Sequence, residues 1–141
     1  MRKNDNKRGY MKRMTIWLIA SLVIASMTVL VAAGCGGQSP TQAAEEFTQH
    51  LNNREFGEAY DMLASNSPLK AVSRDEFVKN AQQTLPDGSK VDNFQVTGED
   101  VNGDSATVKW TGTEKVPGQP DKTQSSTWTL SREDDQWKLK P

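Results

Sequence analysis

The sequence has little of the chemistry on which most enzymes depend. Its 141 residues include one cysteine, Cys35, and one histidine, His50. A single cysteine excludes a disulfide within the chain. A lone histidine without a sequence-adjacent partner is a poor acid–base catalyst, so we interpret His50 as a solvated or packing residue. The GxSxG, HExxH, CxxC and phosphate-loop patterns do not occur. We therefore predict no catalytic residue, no metal site and no cofactor.

Acidic residues are scarce at the N-terminus and in excess elsewhere. Six of the seventeen lysines and arginines lie within residues 1–13, where Asp5 is the only acid. Residues 35–141 keep 11 basic and 17 acidic side chains. A surface with this negative balance argues against nucleic acid or anionic lipid as a partner, because both bind basic surfaces.

An uncharged, apolar run follows the basic N-terminus. It extends over residues 14–33, long enough to cross a bilayer. By the positive-inside rule the basic end stays in the cytoplasm, so the chain after Cys35 is predicted to be exported. The run is either a cleaved signal peptide or a retained transmembrane helix.

The residues that end this run resemble the lipobox of bacterial lipoproteins. Val31-Ala32-Ala33-Gly34-Cys35 places small residues directly before a cysteine, although leucine is the commonest residue at the position of Ala32. The resemblance implies that residues 1–34 are a signal peptide cut between Gly34 and Cys35. Cys35 would then carry palmitate-type acyl chains that anchor the protein to the extracytoplasmic face of the cell membrane. Residues 35–38 would be the lipidated cysteine and a flexible tether.

The first half of the remaining chain carries helix signals. Ser39-Pro40-Thr41-Gln42 and Ser73-Arg74-Asp75-Glu76 are both capping boxes. They predict helices that end near Asn52 and before Pro86, and a third helical pattern covers residues 55–64. Apolar residues recur at helical spacing on each helix: Ala44, Phe47 and Leu51; Phe56, Ala59, Tyr60 and Leu63; Phe77, Val78, Ala81 and Leu85.

The second half alternates with a period of two, which predicts four antiparallel strands with one dry face. Asn102-Gly103 is predicted to form a tight turn between the first two strands. The dry face is predicted to carry no acidic residue and to consist of Phe94, Val96, Ala106, Val108, Trp110, Ser126, Trp128, Leu130, Trp137 and Leu139. The expected fold class is α+β, with about three N-terminal helices packed on a four-stranded antiparallel sheet.

This layout is similar to the nuclear-transport-factor-two-like, cone-shaped fold. The resemblance rests on the helix Glu58–Leu63, the helix that starts at Ser73–Phe77 and the closing strand Gln136–Leu139. It implies that residues 39–141 form a single cone-like domain with a curved sheet. Within the superfamily the chain resembles small lipoproteins of unknown function and the N-terminal module of certain penicillin-binding proteins. Fold alone does not determine activity in this superfamily.

Three functions remain open. Trp110, Trp128 and Trp137, with Tyr60 as a polar group, either line a pocket or fill the core. We expect a membrane-anchored, extracytoplasmic, non-catalytic binding or accessory module that takes a small apolar ligand or an envelope protein. The alternatives are a cone-fold enzyme of isomerase or cyclase type, which would use Tyr60, His50 or Asp61, and a ligand-free spacer.

Overall fold

A computed structural model describes residues 37–141. The predicted signal peptide, its predicted cleavage site at Gly34 and the predicted lipidation site, Cys35, lie outside these residues. The elements in chain order are α1 (Pro40–Asn52), α2 (Phe56–Asp61), a 3-10 helix (Pro68–Ala71), α3 (Arg74–Thr84), β1 (Lys90–Asn102), β2 (Ser105–Lys115), β3 (Lys122–Glu133) and β4 (Gln136–Lys140). Within residues 37–141 no helix is long and apolar enough to cross a membrane.

Helix α1 begins where its capping box predicts. Ser39 Oγ accepts a hydrogen bond from the Gln42 backbone N at 3.1 Å, and Gln42 Oε1 accepts one from the Ser39 N at 2.9 Å. Together these bonds satisfy backbone donors that a helix start leaves unpaired. The helix buries one face, formed by Ala43, Ala44, Phe47 and Thr48. Of the predicted tether, the structure describes Gly37 and Gln38, and Gln38 donates a hydrogen bond to Glu46 on α1.

Helix α2 is shorter than the predicted 55–64 because its last residues pair with the sheet. Leu63 forms a parallel bridge with Leu139 on β4. Leu139 N donates to Met62 O at 2.9 Å, and Ala64 N donates to Leu139 O at 2.8 Å. These bonds give the edge strand β4 partners for its backbone groups.

Helix α3 forms as predicted but lies at the periphery. Ser73 Oγ accepts from the Glu76 N at 3.3 Å, which caps the helix start. No residue of α3 is fully buried. Its main neighbour is α2, where Phe77 packs on Tyr60 with ring centroids 5.4 Å apart. The helical layer that covers the sheet is therefore chiefly α1.

The four strands form one antiparallel sheet in the order β1-β2-β3-β4. The register of β1 against β2 shifts twice, between Asp92 and Gln95 and between Val96 and Gly98, and such irregularities bend a strand. The first turn is displaced by one residue from the prediction, since Asn102 pairs with Ser105 and Gly103 starts the turn at a φ of 59°.

The core lies between α1, α2 and the inner face of the sheet. Its buried residues include Phe47, Leu63, Val108, Leu130, Trp137 and Leu139. The outer face carries polar side chains, and Thr107, Lys109, Thr127 and Thr129 are exposed there. The predicted α+β class with an antiparallel meander is confirmed, and the three helices differ in how closely they approach the sheet.

Candidate functional site

Two of the three predicted tryptophans meet on the inner face of the sheet. Trp110 and Trp128 have ring centroids 5.0 Å apart, and Phe94 lies within 5.3 Å of the first and 5.7 Å of the second. Phe47 on α1 meets Trp128 edge-on at 5.5 Å. This aromatic cluster fills the space beneath α1.

Next to the cluster, the end of the sheet where β1 begins and β2 ends is open. A cleft of about 120 Å³ lies between α1, the start of β1 and the end of β2. Its walls are mostly apolar and include Leu51, Leu85, Val91 and Val116. We call this space the main cleft.

Two further clefts border the main one. The first, of about 90 Å³, is lined by Val91, Trp110, Glu114 and Gln124, and we call it the indole cleft. The second, of about 310 Å³, lies toward the loop between β2 and β3 and is lined partly by Val116 and Glu114. Glu114 is thus a wall residue of all three clefts.

Glu114 belongs to the inner face of β2. It pairs with Val91 on β1 and with Lys122 on β3, and its Oε2 accepts a hydrogen bond from the Gln124 Nε2. The alternation that buries Ala106, Val108 and Trp110 reaches Glu114 after two more steps, so the sequence contained this signal.

The prediction that the inner face carries no acidic residue is wrong. Glu114 is one acidic residue on this face, and Glu99 is a second. Glu99 pairs with Val108 across β1 and β2, which places both on the same face. Its Oε2 accepts hydrogen bonds from Thr41 N at 2.8 Å and Thr41 Oγ1 at 2.5 Å. A negatively charged side chain at the N-terminus of a helix is stabilising, so Glu99 helps to attach α1 to the sheet.

Ion pairs surround the open end of the sheet. Asp92 lies 3.0 Å from Lys90 Nζ and 3.1 Å from Lys115 Nζ. The hydrogen bond from Lys90, followed by the one from Lys115, lowers the pKa of the Asp92 carboxyl, and Asp92 in turn raises the pKa of Lys115. Lys115 also lies 3.6 Å from Asp121. Among residues 37–141, no cation lies within 4.0 Å of Glu114.

Two buried polar atoms at this end have no hydrogen-bond partner in the part of the chain that the structure describes. They are Trp110 Nε1 and Ser89 Oγ; Trp110 is a lining residue of the indole cleft and Ser89 of the main cleft. A buried donor without a partner costs about 1–3 kcal/mol.

Of the four predicted pocket residues, only Trp110 lines one of the three clefts, and Trp128 packs in the aromatic cluster beside it. Trp110 pairs with Ser126 on β3, and Trp137 pairs with Arg132 on the same strand. Ser126 and Arg132 are six residues apart, so the two tryptophans are separated by roughly 20 Å along the strand direction. Trp137 belongs to the buried core. Tyr60 donates a hydrogen bond from its hydroxyl to Val72 O at 2.8 Å.

The residues weighed as catalytic groups are occupied by partners of their own. His50 Nδ1 lies 2.7 Å from Glu55 Oε2, and this hydrogen bond lowers the pKa of Glu55. Arg74 pairs with Asp61 at 3.2 Å, and the bond raises the pKa of the arginine. None of His50, Asp61 or Tyr60 lines the three clefts.

The family of the chain follows from its sequence. Residues 39–140 match the family described as the NTF2-like N-terminal transpeptidase domain. The chain belongs to this family, as the predicted resemblance to the nuclear-transport-factor-two-like fold implied. No curated protein matches the sequence.

Solved structures support the same fold. A SEC-C motif containing protein from Rhodopseudomonas palustris superposes with a TM-score of 0.59 at 13% identity, over 73% of this chain and 76% of that chain. An NTF2-like protein with a cystatin-like fold from Novosphingobium aromaticivorans gives 0.53 at 11% identity, over 71% and 74%. A protein described as an NTF2-like transpeptidase from Campylobacter jejuni gives 0.50 at 20% identity, over 72% and 97%. At these identities the likeness concerns the fold alone.

Proposed function

We propose that the chain is a membrane-anchored, extracytoplasmic lipoprotein whose NTF2-like domain binds a small, largely apolar ligand without transforming it. The observation that carries the proposal is the main cleft, whose walls are mostly apolar and whose lining includes Ser89, a residue with no partner for its Oγ within residues 37–141. Apolar walls with a few polar groups that orient the ligand are typical of small-molecule sites.

The size of the site supports a compact ligand. The main cleft has a volume of about 120 Å³ and adjoins the indole cleft of about 90 Å³. An apolar cavity of roughly 150 Å³ admits a benzene ring. The main cleft alone is smaller than this, so we expect a flexible chain of about six carbons to occupy it and to leave the indole cleft for a polar group.

A non-catalytic role is supported by the positions of the other ionisable groups. Tyr60, His50 and Asp61 bond to Val72, Glu55 and Arg74, away from the clefts. A ligand at the open end would not meet them.

An enzyme of isomerase or cyclase type is the second candidate, because Glu114 presents a carboxylate to all three clefts. A carboxylate within reach of a bound substrate is able to serve as a general base. In this case a ligand incubated with the protein would be converted, and Glu114→Gln would abolish the conversion. Recovery of the ligand unchanged supports the binding role.

The binding site is tested with hexanol, a neutral six-carbon ligand, by calorimetric titration of residues 36–141, which form one compact unit. Val116→Trp places an indole in the main cleft, and we expect it to abolish binding. Val101→Trp is the matched control, since Val101 is 50% exposed at the opposite end of the sheet, beside the β1–β2 turn. Failure of hexanol to bind, or equal binding by both variants, would reject the cleft and favour a ligand-free spacer.

The anchor is tested separately, in cells labelled with a palmitate analogue. We expect the wild-type chain to incorporate the label and Cys35→Ala to lose it, because acylation needs the thiol of Cys35. Label that persists in the variant, or an unlabelled wild type, would reject lipidation at this residue. An unlabelled chain that still sediments with membranes would indicate the retained transmembrane helix instead.

A further inference from the structure

We infer that the clefts at the open end select an organic cation: an apolar body in the main cleft and an ammonium group against Glu114. The inference rests on the proposed binding function and adds the chemical class of the ligand. The juxtaposition that carries it is an indole, an apolar wall and the carboxylate of Glu114, which forms no ion pair within residues 37–141.

The carboxylate of Glu114 is held by a hydrogen bond but forms no ion pair with another residue of the described part of the chain. Gln124 donates to its Oε2, and no residue in the described part of the chain donates to its Oε1. Glu114 itself is half-buried. A half-buried carboxylate interacts with an incoming cation more strongly than an exposed one, because less water screens the pair.

Two of the three nearby lysines are paired with other carboxylates. Lys90 and Lys115 line the main cleft, but both pair with Asp92, and Lys115 also approaches Asp121. Lys122 lies opposite Glu114 in the register of β3 and lines the third cleft, but it is exposed and not within 4.0 Å of the carboxylate. An anion in the main cleft would thus meet Glu114 and would compete with Asp92 for the two lysines there.

Trp110 gives the same cleft an aromatic wall. It shares the indole cleft with Glu114, and the residue is 8% exposed. An ammonium group that reaches the face of this indole is attracted to it, most strongly where water is excluded. The cleft of about 90 Å³ would accept a small ammonium head, while Val91, which borders both clefts, contacts the start of the apolar body.

The test compares three six-carbon ligands that differ only in their polar group: hexylammonium, hexanol and hexanoate. The full chain is held in lipid nanodiscs and titrated by calorimetry, with empty nanodiscs as the blank for partitioning into lipid. We expect hexylammonium to bind about tenfold more tightly than hexanol, because a hydrogen bond between two charged groups is the stronger kind. Hexanoate should bind more weakly than hexanol.

Two isosteric variants assign the preference to its residue. Glu114→Gln should bind hexylammonium and hexanol with affinities within about threefold of each other, since the charge is gone and the shape remains. Glu99→Gln is the matched control, because Glu99 is the other inner-face acid and contacts Thr41 rather than the clefts. It should retain the full preference for the cation.

The outcomes separate this inference from the proposed function. Hexanol or hexanoate binding as tightly as hexylammonium to the wild type, or a preference that survives in Glu114→Gln, would overturn the inference while leaving the cleft a neutral binding site. Absence of binding by all three ligands would overturn the proposed function. The comparison of the three ligands on the wild type tests the inference even if Glu114→Gln fails to fold.

Discussion

Two phenylalanines that occupy similar positions in the helical pattern should contribute unequally to stability. Phe47 on α1 is 3% exposed, lies in the core and meets Trp128 edge-on. Phe77 on α3 is half-buried and packs on Tyr60. We expect Phe47→Ala to lower the free energy of unfolding by about 3–5 kcal/mol, because it opens a cavity between helix and sheet. Phe77→Ala should cost about 1–2 kcal/mol, because its site is open to solvent and can relax.

The assay is urea denaturation of residues 36–141 followed by circular dichroism. A domain of this size is typically stable by about 5–15 kcal/mol, so Phe47→Ala would leave it close to unfolding, with a thermal midpoint lower by about 12–40 °C. Phe77→Ala should retain a cooperative transition at a modestly lower urea concentration. Equal losses, or a larger loss for Phe77→Ala, would refute the conclusion that α1 covers the sheet and α3 lies outside the core.

Two further changes probe the open end of the sheet and the opposite end, where β3 ends. Gly112→Ala should destabilise by about 1–3 kcal/mol and weaken hexanol binding, because the added Cβ would lie 2.7 Å from Cγ1 of Val91, a wall of the main cleft. Glu133→Gln should remove part of the acid sensitivity of folding. Burial raises the pKa of Glu133, but hydrogen bonds from the Ser65 backbone and hydroxyl and from Ser131 outweigh it, so the net shift is downward from 4.5. Its stabilisation is therefore present above the unfolded-state pKa and is lost as the pH falls through the lower folded-state pKa.

Each of these expectations has a direct check. For Gly112→Ala the measurement is urea denaturation beside Thr107→Ala, an exposed outer-face change that should stay within about 0.5 kcal/mol. A Gly112→Ala protein as stable as that control would show that Val91 moves freely. For Glu133→Gln the measurement is stability from pH 7 to pH 3. The gap between wild type and variant should close toward the acid end, and a constant gap would contradict the pKa argument.

Local signals predicted the helix starts correctly. The caps at Ser39 and Ser73 involve residues three positions apart, so the sequence around them contains the whole interaction. The end of α2 could not be predicted in this way, because Met62 and Ala64 bond to Leu139, far away in the chain. The peripheral position of α3 likewise depends on tertiary packing, because α1 contacts the sheet and α3 packs mainly on α2.

The candidate site was predictable in part. Trp110 was expected on the inner face and does line a cleft, whereas Trp137 lies on the same face but at its far end. Glu114 follows from continuing the alternation of β2 two steps past Trp110. Leu85 belongs to the apolar pattern of the third helix, whereas Ser89 and Val116 come from segments without a periodic signal, and only folding brings the three to one opening.

The central claim, that ligand enters at the open end of the sheet, is tested most directly by the indole N–H signals in nitrogen-15 NMR. Trp110 borders the clefts, and Trp137 serves as an internal reference in the core at the other end. During titration with hexylammonium we expect the Trp110 signal to shift in a saturable way and the Trp137 signal to stay in place. An unmoved Trp110 signal, or a shift confined to Trp137, would contradict the account.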